Sequence, residues 1–220
     1  MALLEEILNR RSIKEFKSTP IEKDKLERVL EAGRLAPSAK NRQEWRFIVL
    51  QKEQLREKVK EAAFGDEKVG QAPAIIALCT TNVEYIMPNG QLSYPIDLAF
   101  AAAFMVLQAV AEGLGTCVLS TYDEQMVRDL ITVPYSMRVV LLILLGYPKK
   151  LPEATPRKTL KRQLQLSGLK AKAGSCHLSC SEATAPKFSA FWSTPVICCN
   201  LTPALTALGR RTTSCPITSA

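Results

Sequence analysis

Residues 94–117 read YPIDLAFAAAFMVLQAVAEGLGTC. Nothing from Tyr94 to Glu112 interrupts a helix. Pro95 falls in the first turn, where its missing N–H is not needed. Only Asp97 and Glu112 carry charge, so the helix is apolar nearly all round and has to be buried on most of its faces. A chain of 220 residues has little spare core to cover it, which points to burial against a second copy. Its longest apolar run, residues 98–107, is too short to span a bilayer.

The flanking segments supply a sheet. Residues 73–81 (PAIIALCTT) form an uninterrupted apolar run of central-strand type, and residues 138–148 (RVVLLILLGYP) form the strongest strand of the chain. RFIVLQ, residues 46–51, reads as a third. Helices are predicted over 2–10, 22–33 and 52–63, and over 124–131 with Asp123 as its cap. In the first, Leu3, Leu4, Ile7 and Leu8 share a face. In the second, Leu26, Val29 and Leu30 point inward, with Gly33 near the end. Residues 82–93 are a short polar loop holding Pro88, Asn89 and Gly90. The fold class is α+β, with a mostly antiparallel sheet flanked by helices.

Charge divides the chain. The formal net charge is +8, yet residues 1–160 carry 22 Lys+Arg against 20 Asp+Glu. The excess sits in residues 161–220, with seven basic residues and one acid, Glu182. The body therefore gives no footprint for nucleic acid, and the tail lacks the basic stripe and aromatics of such a binder. Periodicity also stops near residue 160. The expected organisation is one domain over 1–160 followed by an atypical basic, Cys/Ser/Thr-rich tail, expected to be poorly ordered. The start shows no apolar signal segment, so the expected compartment is the cytoplasm, with no membrane partner.

Cys79 and Cys117 are isolated in apolar surroundings, as thiols of a reducing compartment are. The only histidine, His177, lies in the tail, which argues against histidine-dependent hydrolysis. CHLSC, residues 176–180, lacks the usual C-x-x-C spacing, and no metal site is expected.

Three clusters carry candidate chemistry. Arg10, Arg11 and Ser12, with Lys14 behind them, can fork a phosphate, or can simply cap a helix C-terminus. APSAKNRQEWRF, residues 36–47, is a costly connector. Pro37 fixes its backbone, and Ser38, Asn41 and Gln43 offer donors and acceptors to a planar heterocycle, or satisfy their own loop. GLGTCVLS, residues 113–120, lets backbone approach a ligand, or is a helix cap followed by a strand. It is a poor dinucleotide fingerprint. No acid–base constellation is evident.

In this order and spacing, RRSIKEF, LERVLEAGRLAPSAKNRQEWRFIVL, QAPAIIALCT, YPIDLAFAAAFMVLQAVAEGLGTC, and VVLLILLGYPKK followed by PRK resemble the FMN-dependent nitroreductases over residues 2–160. The resemblance implies a homodimer with the long helix at its interface and FMN bound between subunits. It implies NADH or NADPH as electron donor and a nitroaromatic or quinone as acceptor. Arg10, Arg11, Ser12 and Lys14 match the residues that hold the phosphate and pyrimidine edge, and Arg157 and Lys158 match the basic pair completing the phosphate site. Lys68 is a weaker match to the pyrimidine edge. Leu119 and Ser120 match the backbone stretch facing flavin N5, and Pro37, Ser38, Asn41 and Gln43 match the loop reaching the other subunit's flavin. The cofactor carries the chemistry, so no catalytic side chain is implied. Glu44, Val118 and Ser120 depart from the usual residues, and the short 82–93 segment leaves no room for a large substrate lid. The tail replaces a short acidic arm that in relatives reaches the partner subunit. Two other readings are a flavin-binding protein without significant turnover and a specialised relative that dehalogenates a substrate or breaks down flavin.

Overall fold

The computed structural model describes residues 3–164, so all but the first four residues of the predicted tail, its cysteines and His177 included, lie outside the described residues. The chain forms α1 (Glu5–Asn9), α2 (Lys23–Arg34), β1 (Trp45–Leu50), α3 (Glu53–Ala62), α4 (Glu67–Gln71) and β2 (Ala74–Thr80). There follow α5 (Tyr94–Ala111), β3 (Gly115–Leu119), α6 (Glu124–Leu130), β4 (Arg138–Gly146) and α7 (Leu160–Gln163). The strands make one antiparallel sheet in the order β1-β2-β4-β3.

Helices cover both faces of this sheet, which is why β2 is buried along its whole length. Ile75, Ala77 and Cys79 face α3, α4 and α6, while Ala74, Ile76 and Leu78 face α2 and α5. Strand β4 divides in the same way, with Leu142 and Leu144 on the first face and Ile143 and Leu145 on the second. A bulge opposite Leu78 and Cys79 inserts Val140 into β4. Val140 and Leu141 consequently both pack on the second face.

Helix α5 buries Leu98, Ala101, Met105 and Ala109 against the sheet and α2. Gly33 lets the two helices close up, because a Cβ there would strike the Met105 side chain. By length and composition α5 is apolar enough to cross a membrane, but this inner face belongs to the core. The single chain buries only that face. Phe100 and Phe104 on the outer face remain 47% and 41% exposed. The apolar face of α1 is also uncovered, and none of its residues is buried.

The predicted elements lie within a few residues of the observed ones, with three differences, the first being the single-turn α7, which was not anticipated. Helix α4 was not anticipated either. It is a single turn capped by Asp66, which accepts the Lys68 N–H at 3.1 Å. In residues 113–123, Gly113 takes the left-handed turn (φ 71°) and β3 then forms a true edge strand. The cap-then-strand alternative holds there.

Candidate flavin site

The extended segment after α1 runs along β3. Ser12 pairs in parallel with Thr116, and the Ile13 N–H donates to the Thr116 carbonyl at 2.9 Å. Gly115 makes this approach feasible, since a Cβ there would meet the Ile13 side chain. The segment is then tied to the end of β4, with Lys17 N–H on the Tyr147 carbonyl at 2.9 Å. Alternation along this strand buries Ile13 and leaves Ser12 and Lys14 facing outward.

Arg10, Arg11, Ser12, Lys14 and Arg157 therefore converge on one cavity of about 380 Å³. Four cationic side chains meet a single carboxylate there, that of Glu153. Arg10 leans on the Ser12 hydroxyl at 3.4 Å. A phosphate dianion suits this donor set. The helix-cap alternative is also realised in part, because Arg11 donates to the Leu8 carbonyl at 2.7 Å and the Arg10 carbonyl at 2.9 Å. Lys158 is exposed and does not line the cavity.

Lys68 reaches the same edge of the sheet. Burial pushes the Cys117 thiol pKa up, and Lys68 and Lys14 both stand near enough to oppose that shift. The Asp66 carboxylate, 2.9 Å from Lys68, holds the ammonium pKa above its ordinary value. Leu119 closes β3 with its side chain in the core, and Ser120 follows, exposed. Only backbone at Leu119 is available to a ligand.

The polar loop sits elsewhere. Its anchor is Asp97 in the first turn of α5, whose buried carboxylate accepts the Ala39 N–H at 2.9 Å. Beyond it, Lys40, Asn41 and Gln43 all have left-handed backbones, with φ of 52°, 54° and 52°. Ser38 Oγ accepts the Gln43 N–H at 3.0 Å, and the Gln43 amide donates to Asn41 Oδ1 at 3.1 Å. Pro37 is exposed beside them. Sequence reasoning missed Asp97, and it missed Glu44 as a tie, whose carbonyl accepts from Thr81 N–H at 3.1 Å and Thr80 Oγ1 at 3.2 Å.

The two groups occupy opposite ends of α5. The loop hangs from Asp97, and the basic group lies beside Thr116 and Gly115, just past the helix C-terminus. About 20 Å of helix axis separates Asp97 from Val110. A single copy does not bring the predicted residues into one site.

The Nitroreductase family profile matches residues 7–93 and 66–147. The chain belongs to the nitroreductase family. A provisionally assigned NADH dehydrogenase/NAD(P)H nitroreductase of Archaeoglobus fulgidus is 33% identical over 156 residues, covering 66% of this chain and 85% of that protein. An FMN reductase [NAD(P)H] of Bacillus subtilis is 23% identical over 172 residues, 70% of this chain and 69% of that one. Among solved structures, a nitroreductase family protein of Clostridium novyi superposes with a TM-score of 0.64 at 33% identity, covering 70% of this chain and 89% of the other. The α+β sandwich is thus the nitroreductase fold, and family membership supports a flavin-dependent NAD(P)H oxidoreductase.

Proposed function

We propose that this chain is an FMN-dependent oxidoreductase, working as a homodimer, that takes electrons from NADH or NADPH and reduces nitroaromatic or quinone-type acceptors. The observation that carries the reading is the division of the candidate residues between the two ends of α5. Two copies packed along the outer faces of their α5 helices, running antiparallel, would set the loop of one beside the basic cavity of the other. That packing would also cover Phe100 and Phe104, the apolar surface a single chain leaves in water.

FMN, when bound, supplies the hydride and electron chemistry. The chain's own residues do the rest. Arg10, Arg11, Ser12, Lys14 and Arg157 would hold the phosphate by charge-assisted hydrogen bonds. Lys68, with Lys14, puts positive charge on the β3 edge, where it favours a negatively charged ligand ring. Leu119 and Ser120 offer backbone at the end of β3. Pro37, Ser38, Asn41 and Gln43 of the second copy close the opposite wall and exclude water. Lys158, outside the cavity, would act at most as a distant charge. A cytoplasmic location fits the free thiols of Cys79 and Cys117.

The test is the visible spectrum of the purified protein before and after anaerobic addition of NADH or NADPH. A flavin spectrum that bleaches is the expected result. Flavin that binds and fails to bleach with either donor sinks the oxidoreductase reading in favour of a binding protein without turnover.

A further inference from the structure

Two cations meet on one aromatic ring at the edge of the polar loop. The Arg42 guanidinium lies 3.9 Å from the centroid of Tyr85, and Lys40 Nζ lies 5.7 Å from it. Arg42 and Lys40 belong to the loop, and Tyr85 to the segment between β2 and α5. Glu44 joins the two segments, with Oε1 accepting from Arg42 at 3.3 Å and from Asn82 Nδ2 at 3.1 Å. Asn82 Oδ1 in turn accepts the Glu84 and Tyr85 N–H groups at 2.9 and 3.2 Å. The loop and the segment carrying Tyr85 are thereby tied together.

The backbone adds a second argument. Asn41 tolerates a left-handed conformation, whereas a lysine such as Lys40 is strained in it. Strain of this kind persists where the surroundings impose it, and it clusters at ligand clamps. Here it aims an exposed ammonium that has no carboxylate partner among the described residues. Glu44 meets only one nitrogen of the Arg42 fork among those residues, so donors remain for a ligand. A guanidinium already stacked on a ring loses little entropy on binding.

We propose that Lys40 and Arg42, held on Tyr85, form a clamp for an anionic group carried by a planar ring, and so select anionic substrates at the flavin site. The proposal rests on the oxidoreductase reading for the position of the loop beside the cofactor. The anion has two chemical sources: the carboxylate of an aromatic acceptor, or the phosphates of the dinucleotide donor.

The experiment titrates benzoate and benzamide into the full-length oxidised flavoprotein and follows the flavin absorbance, with no turnover required. Benzoate is expected to bind about fivefold to tenfold more tightly than benzamide. Lys40→Gln and Arg42→Gln each remove most of that preference and leave benzamide binding unchanged. Tyr85→Phe keeps it and Tyr85→Leu loses it. A parallel arm measures NADH and NADPH affinity in the same variants. Weaker donor binding without a benzoate preference assigns the clamp to the dinucleotide phosphate. No preference for benzoate and no change in donor affinity overturns the clamp. A chain that prefers benzoate but is not bleached by either donor keeps the clamp and sinks the oxidoreductase reading; bleaching without discrimination does the reverse. A chain that takes up no flavin fails both.

Discussion

The buried carboxylate of Asp97 accepts the backbone N–H of Ala39 at 2.9 Å, and this one bond fixes where the left-handed run of the loop begins against the long helix. Removing it leaves a part-buried N–H without a partner, at a cost of about 1–3 kcal/mol. Asp97→Ala is expected to lower the melting temperature and speed amide exchange through residues 39–43. Asp97→Asn keeps an acceptor and retains most of the protection. Unchanged exchange at Ala39 in the alanine variant would mean the loop is anchored elsewhere.

The basic cavity predicts a selective loss of phosphate affinity. Arg10→Ala and Arg157→Ala each remove a charge-assisted contact, so FMN affinity should fall about tenfold to a hundredfold. Riboflavin, which lacks the phosphate, should bind the variants as it binds the parent. Equal losses for both flavins in titrations would place these arginines away from the phosphate.

The outer face of α5 predicts the oligomeric state. Light scattering should give twice the 24.3 kDa chain mass. Phe100→Glu with Phe104→Glu places charges on the exposed apolar face, where they cost the single chain little. That variant should run as a monomer and release its flavin. A dimer that survives both substitutions would exclude this face as the interface.

Gly115 and Ile13 form a coupled pair. Gly115→Ala pushes its new methyl into the Ile13 side chain and should cost about 1–3 kcal/mol in denaturant unfolding. It should also weaken FMN binding, because Ser12 and Lys14 flank Ile13. Adding Ile13→Ala removes the Cγ1 group that the new methyl meets, so the double variant should be more stable than the sum of the single changes predicts. Strict additivity would argue that the two side chains do not collide.

Cys79 gives the fold a dependence on alkaline pH. Burial first, and the Glu124 charge second, push its thiol pKa up from 9.0 to about 12. The folded state therefore holds this proton more tightly than the unfolded state. The stabilisation is fully present below pH 9 and is lost progressively as pH rises toward 12. Denaturation midpoints should fall over that range, and Cys79→Ala should flatten the slope. A slope identical in the variant would assign the effect to other groups. At neutral pH, maleimide should label Cys79 only after unfolding.

Much of the fold was legible because its central elements are extreme. Strands β2 and β4 are unbroken apolar runs, α2 has a clear polar face, and Asp123 caps α6 with its side chain on the Met126 N–H at 3.0 Å. Helix α4 was not legible, since five residues carry no helical period. The short edge strand β3, led by glycines, reads equally well as a turn. The residue types of the candidate site were readable, and so was the pairing of Arg10 with Ser12, which lies within one short segment.

The sequence by itself determined the order of helices and strands, the apolar character of α5 and the kinds of side chain offered to a phosphate and a planar ring. Those follow from local periodicity and local chemistry, which neighbouring residues settle among themselves. Only the tertiary structure decided that Asp97 holds Ala39, 58 residues away, and that Glu44 joins the loop to Asn82, 38 residues away. It also decided that the loop and the basic cavity lie at opposite ends of one helix. Such contacts depend on the path of the whole chain, and no local pattern of residues encodes them.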